Sequence, residues 1–281
     1  MFKINNDEIK LIVCDVDGTL ITDNQDLQDE VKEILQKATK NNIYVSIASG
    51  RMPKGFAKFS EILDIKNHAK YVIGANGAIV DNLIEPSKQY KHLIPKDDAI
   101  KVFQLLDAQN FDYSAIFYND PYFYAKGHDL FLRKIEEDAY IDGQIDVRAF
   151  DYSKINDTYK IIARAKDQET YDIVGKALKD IWGVHVEVIT NRAYDIVAGG
   201  VNKGTGVIHL IHNLNKEFNA DIKLENVLYF GDGHNDISAL KLLKYGVAMG
   251  NAYDEVKKHA FEVTTSNNDY GIRRFIDKYW K

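Results

Sequence analysis

Short, continuous apolar runs near both ends of the chain predict buried strands. They lie at residues 11–14, 43–48, 71–74 and 227–230. Runs of this kind are typical of strands that are covered on both faces of a parallel sheet. Amphipathic helices are predicted over residues 26–41, 54–63 and 205–213. The order of strand, helix and strand therefore predicts an α/β fold with a parallel sheet and right-handed crossovers.

The middle of the chain has a different pattern. Between about residues 86 and 191, strand-like segments at 111–127, 158–165 and 184–188 are accompanied by predicted helices at 96–110, 129–140 and 167–182. Alternation of apolar and polar positions in these strands indicates a sheet with one exposed face. We expect a separate α+β domain at 86–191, inserted into a core formed by 1–85 and 192–281. Residues 193–197 are expected to lead back into that core.

Two local features of these segments have structural explanations. Asn76-Gly77, between apolar runs, predicts a hairpin. The aromatic residues from Phe117 to Tyr124 could line a ligand pocket, but the pattern favours packing within the sheet.

Composition narrows the class of protein. A chain of 281 residues is long enough for about two domains. Its net charge of −6 argues against nucleic acid or an anionic membrane as the main partner. No apolar run approaches the ~18 residues that would span a bilayer, and the N-terminal residues lack the apolar core of a signal peptide. The single Cys14 excludes an intramolecular disulfide. We therefore expect a cytoplasmic protein.

The segment Leu11–Leu20, LIVCDVDGTL, carries the first candidate chemistry. Asp15 and Asp17 come directly after a buried strand, and residues two apart in an extended segment share a face. Two carboxylates that close repel each other unless a cation lies between them or one is protonated. Mg²⁺ prefers oxygen ligands of this kind. A plain Asp-Gly turn is the alternative, but the D-x-D pattern favours a cation site.

Two further segments are expected at the same edge of the sheet. Ser49-Gly50-Arg51 follows the predicted strand at 43–48, where a hydroxyl and backbone N–H groups could hold a phosphate oxygen. A simple Ser-Gly turn explains that segment equally well. Lys203 begins a predicted helix, and on its own it would be read as a solvated charge.

The segment from Gly231 to Asp236, GDGHND, follows another buried strand. A dinucleotide-binding loop is excluded because Asp236 occupies the position of the last glycine, where its charge would repel a pyrophosphate. Asp232 and Asp236 fit a cation site better. His234 is predicted to be a loop residue, because Mg²⁺ avoids imidazole.

Taken in order, D-x-D-G-T, S-G-R, N-K-G and G-D-x-x-N-D resemble the four motifs of the haloacid dehalogenase superfamily. The second motif has Ser49 where many relatives have Thr, and Ser retains the hydroxyl. The whole chain resembles the Cof-type hydrolases of that superfamily. The long stretch between Ser49 and Lys203 exceeds what the core needs. The resemblance implies a Rossmann-like core with a large α+β cap at 86–191 that sets substrate specificity, and it places Asn76 near the hinge.

The resemblance also implies roles for individual residues. Asp15 is the expected nucleophile, forming an aspartyl-phosphate, and Asp17 is the expected general acid and base. The implied Mg²⁺ ligands are Asp15, the backbone carbonyl of Asp17, and Asp232. Asp236 is expected to orient Lys203 or a metal-bound water. The implied phosphate-binding residues are Val16, Ser49, Gly50, Lys203 and Asn235.

The predicted function is therefore a Mg²⁺-dependent phosphatase that acts on small phosphorylated metabolites, such as sugar phosphates. Asp17 argues against a dehalogenase reaction, which needs no proton donor at this position. Two alternatives remain at this point. One is a phosphomutase with the same core, and the other is a non-catalytic protein that binds or senses a phosphorylated metabolite.

Overall fold

A computed structural model describes residues 1–120, 122–127, 147–190 and 192–280. The chain divides into two compact units. The first is Met1–Tyr90 with Lys203–Lys281, and the second is Lys91–Asn202. The helix predicted at 129–140 lies outside the described residues.

The strands of the described residues are labelled β1 to β16 in chain order. They are Lys3–Ile4 (β1), Asp7–Glu8 (β2), Leu11–Cys14 (β3), Tyr44–Ile47 (β4), Tyr71–Gly74 (β5), Ile79–Asn82 (β6), Tyr90–Lys91 (β7), Asp112–Phe117 (β8), Phe123–Lys126 (β9), Val147–Ala149 (β10), Thr158–Arg164 (β11), Val184–Thr190 (β12), Ala193–Ala198 (β13), Val227–Gly231 (β14), Tyr245–Ala248 (β15) and Glu262–Val263 (β16).

The α-helices of the described residues are labelled in the same way. They are Asp29–Lys40 (α1), Ala57–Ile62 (α2), Lys96–Ala108 (α3), Gln168–Leu178 (α4), Lys203–Phe218 (α5), Ile237–Leu242 (α6), Asp254–Lys257 (α7) and Gly271–Tyr279 (α8).

The first unit is built on a parallel sheet with the strand order β16-β15-β14-β3-β4. β3 lies between β14 and β4, and all four of its side chains are buried. This burial on both faces explains why its sequence is a continuous apolar run. The predicted α/β fold is confirmed, and the carboxyl ends of β3 and β14 are neighbours.

Helix α1 of this unit buries one apolar stripe. In α1 the buried residues are Val31, Ile34, Leu35 and Ala38, with acidic residues in the first turn and lysines in the last. That charge arrangement complements the helix dipole. The apolar stripe packs against β4 and α8, as the helical spacing predicts.

The predicted hairpin at Asn76-Gly77 is confirmed. β5 pairs with β6 in an antiparallel manner, and the turn between them has positive φ angles at Ala75, Asn76 and Gly77. A parallel bridge between Ala48 and Ile73 links β5 to the residue that follows β4. Asn76 is buried in this turn, so its side-chain amide faces neighbouring loops rather than solvent.

The second unit contains a six-stranded sheet with the order β10-β9-β8-β11-β13-β12. Its strand pairs are antiparallel except for β10 and β9. Helices α3 and α4 contact each other and this sheet. Phe117 contacts Phe103 and Tyr124, and all three rings are buried, as expected for packing residues.

One sequence-based expectation is wrong. Ala193–Ala198 does not return to the core; it forms β13, which pairs with β11 and β12 inside the second unit. All six of its side chains are buried. A strand in the middle of any covered sheet has the same continuous apolar pattern as a core strand, so periodicity alone could not assign it. The chain rejoins the first unit at Lys203, later than the predicted residue 192.

Candidate active site

The site begins at the carboxyl end of β3, where the chain turns sharply. Asp15 follows the strand in an extended conformation, and the segment Val16–Leu20 coils back. The amide of Leu20 donates to the Asp15 carbonyl at 3.1 Å, and that of Ile21 donates to the Val16 carbonyl at 3.2 Å. Gly18 has a φ of 72°, which a residue with a side chain rarely adopts.

Gly18 is also required for space. A Cβ atom built on it would lie 2.4 Å from Oδ2 of Asp232, which follows β14. A side chain at position 18 would therefore displace the Asp232 carboxylate. Thr19 holds the same carboxylate, because its Oγ1 donates to Asp232 Oδ1 at 2.8 Å.

Lys203 lies between two carboxylates. Its Nζ donates to Asp15 Oδ1 at 2.6 Å and to Asp236 Oδ1 at 2.7 Å, and its side chain is fully buried. Burial alone would lower the pKa of Lys203, but Asp15 and Asp236 raise that pKa above its usual value. The residue is thus a buried, charged ammonium at the N-terminus of α5, and not a solvated surface lysine.

Asp236 is held on both of its oxygens. Oδ1 accepts from Lys203 and, at 2.6 Å, from the hydroxyl of Tyr229. Oδ2 accepts from the amides of Asp232 at 3.0 Å and Gly233 at 2.9 Å. Four donors fix this carboxylate, so it in turn fixes the ammonium of Lys203. The local sequence predicts no role for Tyr229, because its strand is otherwise an ordinary buried run.

Oxygens of Asp15, Asp232 and Asp236 lie within 4.8 Å of one another. These three carboxylates face one lysine, so negative charge is in excess. Burial, followed by the charge of Asp236, raises the pKa of Asp15 well above its usual value and that of Asp232 to about 7. A divalent cation would relieve this excess and favour the ionised forms. Because Asp236 is already saturated with donors, Asp15 and Asp232 are the carboxylates that fit direct coordination.

The Asp17 carboxylate is not part of that cluster. It pairs with the Arg51 guanidinium through two hydrogen bonds: Arg51 Nε donates to Oδ2 at 2.9 Å, and Nη2 donates to Oδ1. Arg51 belongs to the S-G-R segment, although that pattern predicted no function for it.

The predicted phosphate-binding residues lie on neighbouring loops. Ser49 is buried, and its Oγ accepts from the Arg51 amide at 3.1 Å. The amide of Asn76 donates to the Ser49 carbonyl at 3.0 Å. Asn235 Nδ2 donates to Asn76 Oδ1 at 2.9 Å. The hairpin turn at Asn76 therefore joins the loops after β4 and β14, a contact that no local pattern indicates.

Two further side chains, Asn251 and His234, lie near the loops after β3 and β14. Asn251, which the sequence analysis missed, donates from Nδ2 to the Gly18 carbonyl at 2.8 Å and to Asp232 Oδ2 at 3.3 Å. The ring of His234 lies 4.8 Å from that of Tyr253 and is not in the carboxylate cluster of the described residues.

Within the part of the chain that the structure describes, no helix has the length and apolar character needed to cross a membrane.

Comparisons with known proteins agree with this architecture. The family model of the haloacid dehalogenase-like hydrolases matches residues 12–276. A protein of Mycoplasma genitalium is 30% identical over 294 residues, covering 97% of this chain and 99% of its own length. The 5-amino-6-(5-phospho-D-ribitylamino)uracil phosphatase YitU of Bacillus subtilis is 26% identical over 281 residues, covering 96% of this chain and 97% of its own.

A solved structure with the same fold is that of the subclass IIB sugar phosphatase BT4131. It matches with a TM-score of 0.80 and 25% identity, covering 96% of this chain and 98% of that one. The chain belongs to the haloacid dehalogenase-like hydrolases, and the prediction of a Cof-type member is confirmed. The prediction that it is an enzyme, a phosphatase of this superfamily, is confirmed as well.

Proposed function

We propose that the protein is a Mg²⁺-dependent phosphatase that hydrolyses phosphate monoesters of small metabolites through an aspartyl-phosphate. The observation that carries the proposal is the buried bridge from Asp15 through Lys203 to Asp236. A phosphoryl group is dianionic, and a carboxylate can attack it only where cations offset the repulsion. The Lys203 ammonium places one positive charge beside the Asp15 carboxylate.

In the first half of the reaction, an Asp15 oxygen attacks phosphorus in line. The bond from phosphorus to the ester oxygen breaks, and Asp17 gives that oxygen a proton. In the second half, water attacks the aspartyl-phosphate and Asp17 takes its proton. The bond from phosphorus to Asp15 breaks, inorganic phosphate leaves, and both carboxyl groups return to their starting states.

Asp15, the backbone carbonyl of Asp17, and Asp232 would hold Mg²⁺. Bound there, the ion would neutralise phosphate charge and orient the phosphoryl group for in-line attack. Asp232 is suited to this role because Thr19 and Asn251 fix both of its oxygens. Asp236 would orient Lys203, from which it accepts a hydrogen bond.

The phosphoryl oxygens would be bound by donors from three loops and from the N-terminus of α5. These are the Ser49 hydroxyl, the Asn235 amide, the Lys203 ammonium and the backbone N–H groups of Val16 and Gly50. The hydrogen bonds that join Ser49, Asn76 and Asn235 support this assignment, because they hold the donors in place before substrate binds. Ordering mobile donors would cost free energy and raise the activation barrier.

We further propose that the α+β unit, predicted at 86–191, selects the substrate. The groups above contact only the phosphate, so discrimination among leaving groups must come from other residues. The printed names of two relatives, a ribitylaminouracil phosphatase and a sugar phosphatase, favour a polyhydroxylated leaving group. The net charge of −6 supports a small metabolite rather than nucleic acid or a membrane as partner. We expect the enzyme to act in the cytoplasm.

The direct test is release of inorganic phosphate from a panel of sugar phosphates, sugar-alcohol phosphates, nucleotides and phosphorylated cofactors, with and without Mg²⁺. We expect Mg²⁺-dependent release, fastest for polyol or sugar phosphates. Conversion of one phosphate isomer to another without phosphate release would identify a phosphomutase instead. Binding without either reaction would refute catalysis.

A further inference from the structure

We propose that Arg51 is a positioning residue for Asp17, and that it serves the half-reaction in which water attacks the aspartyl-phosphate. The inference rests on the proposed function, because it assigns Asp17 the proton-transfer role described above. Within the described residues, Arg51 forms no hydrogen bond with Asp15 or Asp232.

Arg51 binds the Asp17 carboxylate in a bidentate arrangement. Nε and Nη2 of Arg51 donate to different oxygens of Asp17, and two parallel bonds fix the orientation of the carboxylate as well as its place. The Arg51 side chain is 9% exposed, whereas that of Asp17 is 48% exposed. Asp17 is thus the exposed partner, and Arg51 is the one the protein has fixed.

Arg51 is fixed by contacts on its other side. Nη1 donates to the Gly55 carbonyl at 3.2 Å, and Nη2 also donates to Gln25 Oε1 at 2.8 Å. A guanidinium has five N–H donors. The bonds to Gly55 and Gln25 use donors other than the two that bind Asp17. The guanidinium is therefore held in one place before it contacts Asp17. An isolated, half-exposed Asp would sample several rotamers instead.

The backbone of Arg51 contacts the phosphate-binding loop. Its amide donates to Ser49 Oγ at 3.1 Å, so one residue joins a proposed phosphate ligand to the proposed proton-transfer group. A displacement of about 1 Å in such a group can cost about 10²-fold in rate. Arg51 therefore sets the separation between the phosphoryl oxygens and the carboxylate that must take a proton from water.

Asp17 takes a proton from water in the second half-reaction, and the two hydrogen bonds from Arg51 fix the place and orientation of its carboxylate for that step. We therefore assign Arg51 to the second half-reaction. Water attacks phosphorus, its proton passes to Asp17, and the Asp15–phosphorus bond breaks. In the first half-reaction a leaving group that needs no proton, such as 4-nitrophenolate, removes the demand on Asp17. That substrate separates the two halves.

The experiment uses the full-length enzyme with Mg²⁺ and 4-nitrophenyl phosphate, followed by stopped-flow absorbance and by phosphate release. The variants are Arg51→Met, Arg51→Lys, Asp17→Asn and the double variant Asp17→Asn/Arg51→Met. Arg273→Met is the matched control, because Arg273 forms an Arg–Asp pair with Asp277 on α8 within the same unit. Thermal unfolding of each variant is recorded alongside.

In Arg51→Met we expect a burst of one nitrophenolate per active site, then a steady rate about 10- to 100-fold below that of the wild type, since a positioned general base contributes about 10²- to 10⁴-fold. The burst itself should stay within about threefold of the wild-type first turnover. Arg51→Lys keeps the charge without the fork and should recover part of the steady rate. It also keeps the inference testable if Arg51→Met does not fold. Arg273→Met should behave as wild type.

In the double variant we expect no further loss relative to Asp17→Asn, because Arg51 acts through Asp17. Equal falls in burst and steady rates, an unchanged steady rate in Arg51→Met, or multiplied losses in the double variant would each overturn the role of Arg51. A wild-type enzyme that releases no phosphate from any ester would overturn the proposed function itself, a result distinct from these.

Discussion

Gly18 and Asp232 approach so closely that a single added carbon on Gly18 would lie 2.4 Å from the Asp232 carboxylate. They come from loops far apart in the chain, one after β3 and one after β14. Because Asp232 is a proposed metal ligand, this contact couples the shape of the first turn to the position of the ion.

We therefore expect Gly18→Ala to lose at least about 10²-fold in kcat/KM and to weaken Mg²⁺ binding, because the added methyl group must displace the carboxylate. Gly200→Ala is the matched control. Gly200 has a similar φ of 78°, but a Cβ there would meet no atom within 4 Å. It should pay the same backbone penalty of about 1 kcal/mol and keep its Mg²⁺ affinity. Isothermal titration with Mg²⁺ and denaturant unfolding separate the two effects; equal Mg²⁺ affinities in both variants would refute the coupling.

Asp15→Asn should abolish turnover and leave the fold intact. The amide has nearly the same shape but is a poor nucleophile, and Lys203 retains Asp236 as its partner. Activity toward the best substrate, together with circular dichroism, provides the measurement. Turnover at a near wild-type rate would show that Asp15 is not the nucleophile.

Tyr229→Phe should lower stability by about 1–2 kcal/mol, because a buried charge-assisted hydrogen bond to Asp236 is lost. We expect kcat to fall about tenfold, since Asp236 then holds Lys203 less firmly. Tyr245→Phe is a suitable control, because its hydroxyl is also hydrogen-bonded but bonds to Ile4 and Asp7 instead. A loss of activity in Tyr245→Phe as large as in Tyr229→Phe would argue against a specific effect on Lys203.

Removal of metal should abolish activity. Dialysis against a chelator is expected to stop phosphate release, and Mg²⁺ should restore it. Ca²⁺ should inhibit, because its larger and more flexible coordination shell displaces the phosphoryl group from in-line geometry. Full activity in metal-free buffer would contradict the metal-site assignment of Asp15 and Asp232.

In the second unit, Asp107 should make stability acid-sensitive. Burial tends to raise its pKa, but hydrogen bonds from Lys126, Tyr152 and Tyr113 lower it below the usual value. A lowered folded-state pKa stabilises the fold above the unfolded pKa of about 4, and this contribution is lost as pH falls through the folded value. Between about pH 6 and about pH 3, the urea midpoint of Asp107→Asn should therefore fall less than that of the wild type. Asp97→Asn, at an exposed position on α3, should keep the wild-type drop.

The parallel sheet and the positions of Asp15, Asp232 and Lys203 were accessible from the sequence, because each follows a buried run or begins a helix. The hydrogen bonds of Tyr229, Arg51 and Asn251 were not. Those of Arg51 and Asn251 join loops that are distant in the chain, and that of Tyr229 joins a strand to the loop that follows it. Nothing in the local pattern distinguishes these residues from ordinary strand or loop residues. β13 was misplaced for a related reason, since burial in one sheet leaves the same pattern as burial in another.

The position of β3 in its sheet has a consequence for biogenesis. β4 follows β3 closely in the chain, but β14, the other neighbour of β3, is translated only after the whole second unit. During synthesis, one edge of an entirely apolar strand is thus open while more than half of the chain is made. Long-range strand pairing of this kind slows folding and leaves an edge that can pair with other chains. A nascent chain stalled before β14 should bind chaperones and aggregate more readily than one released at full length.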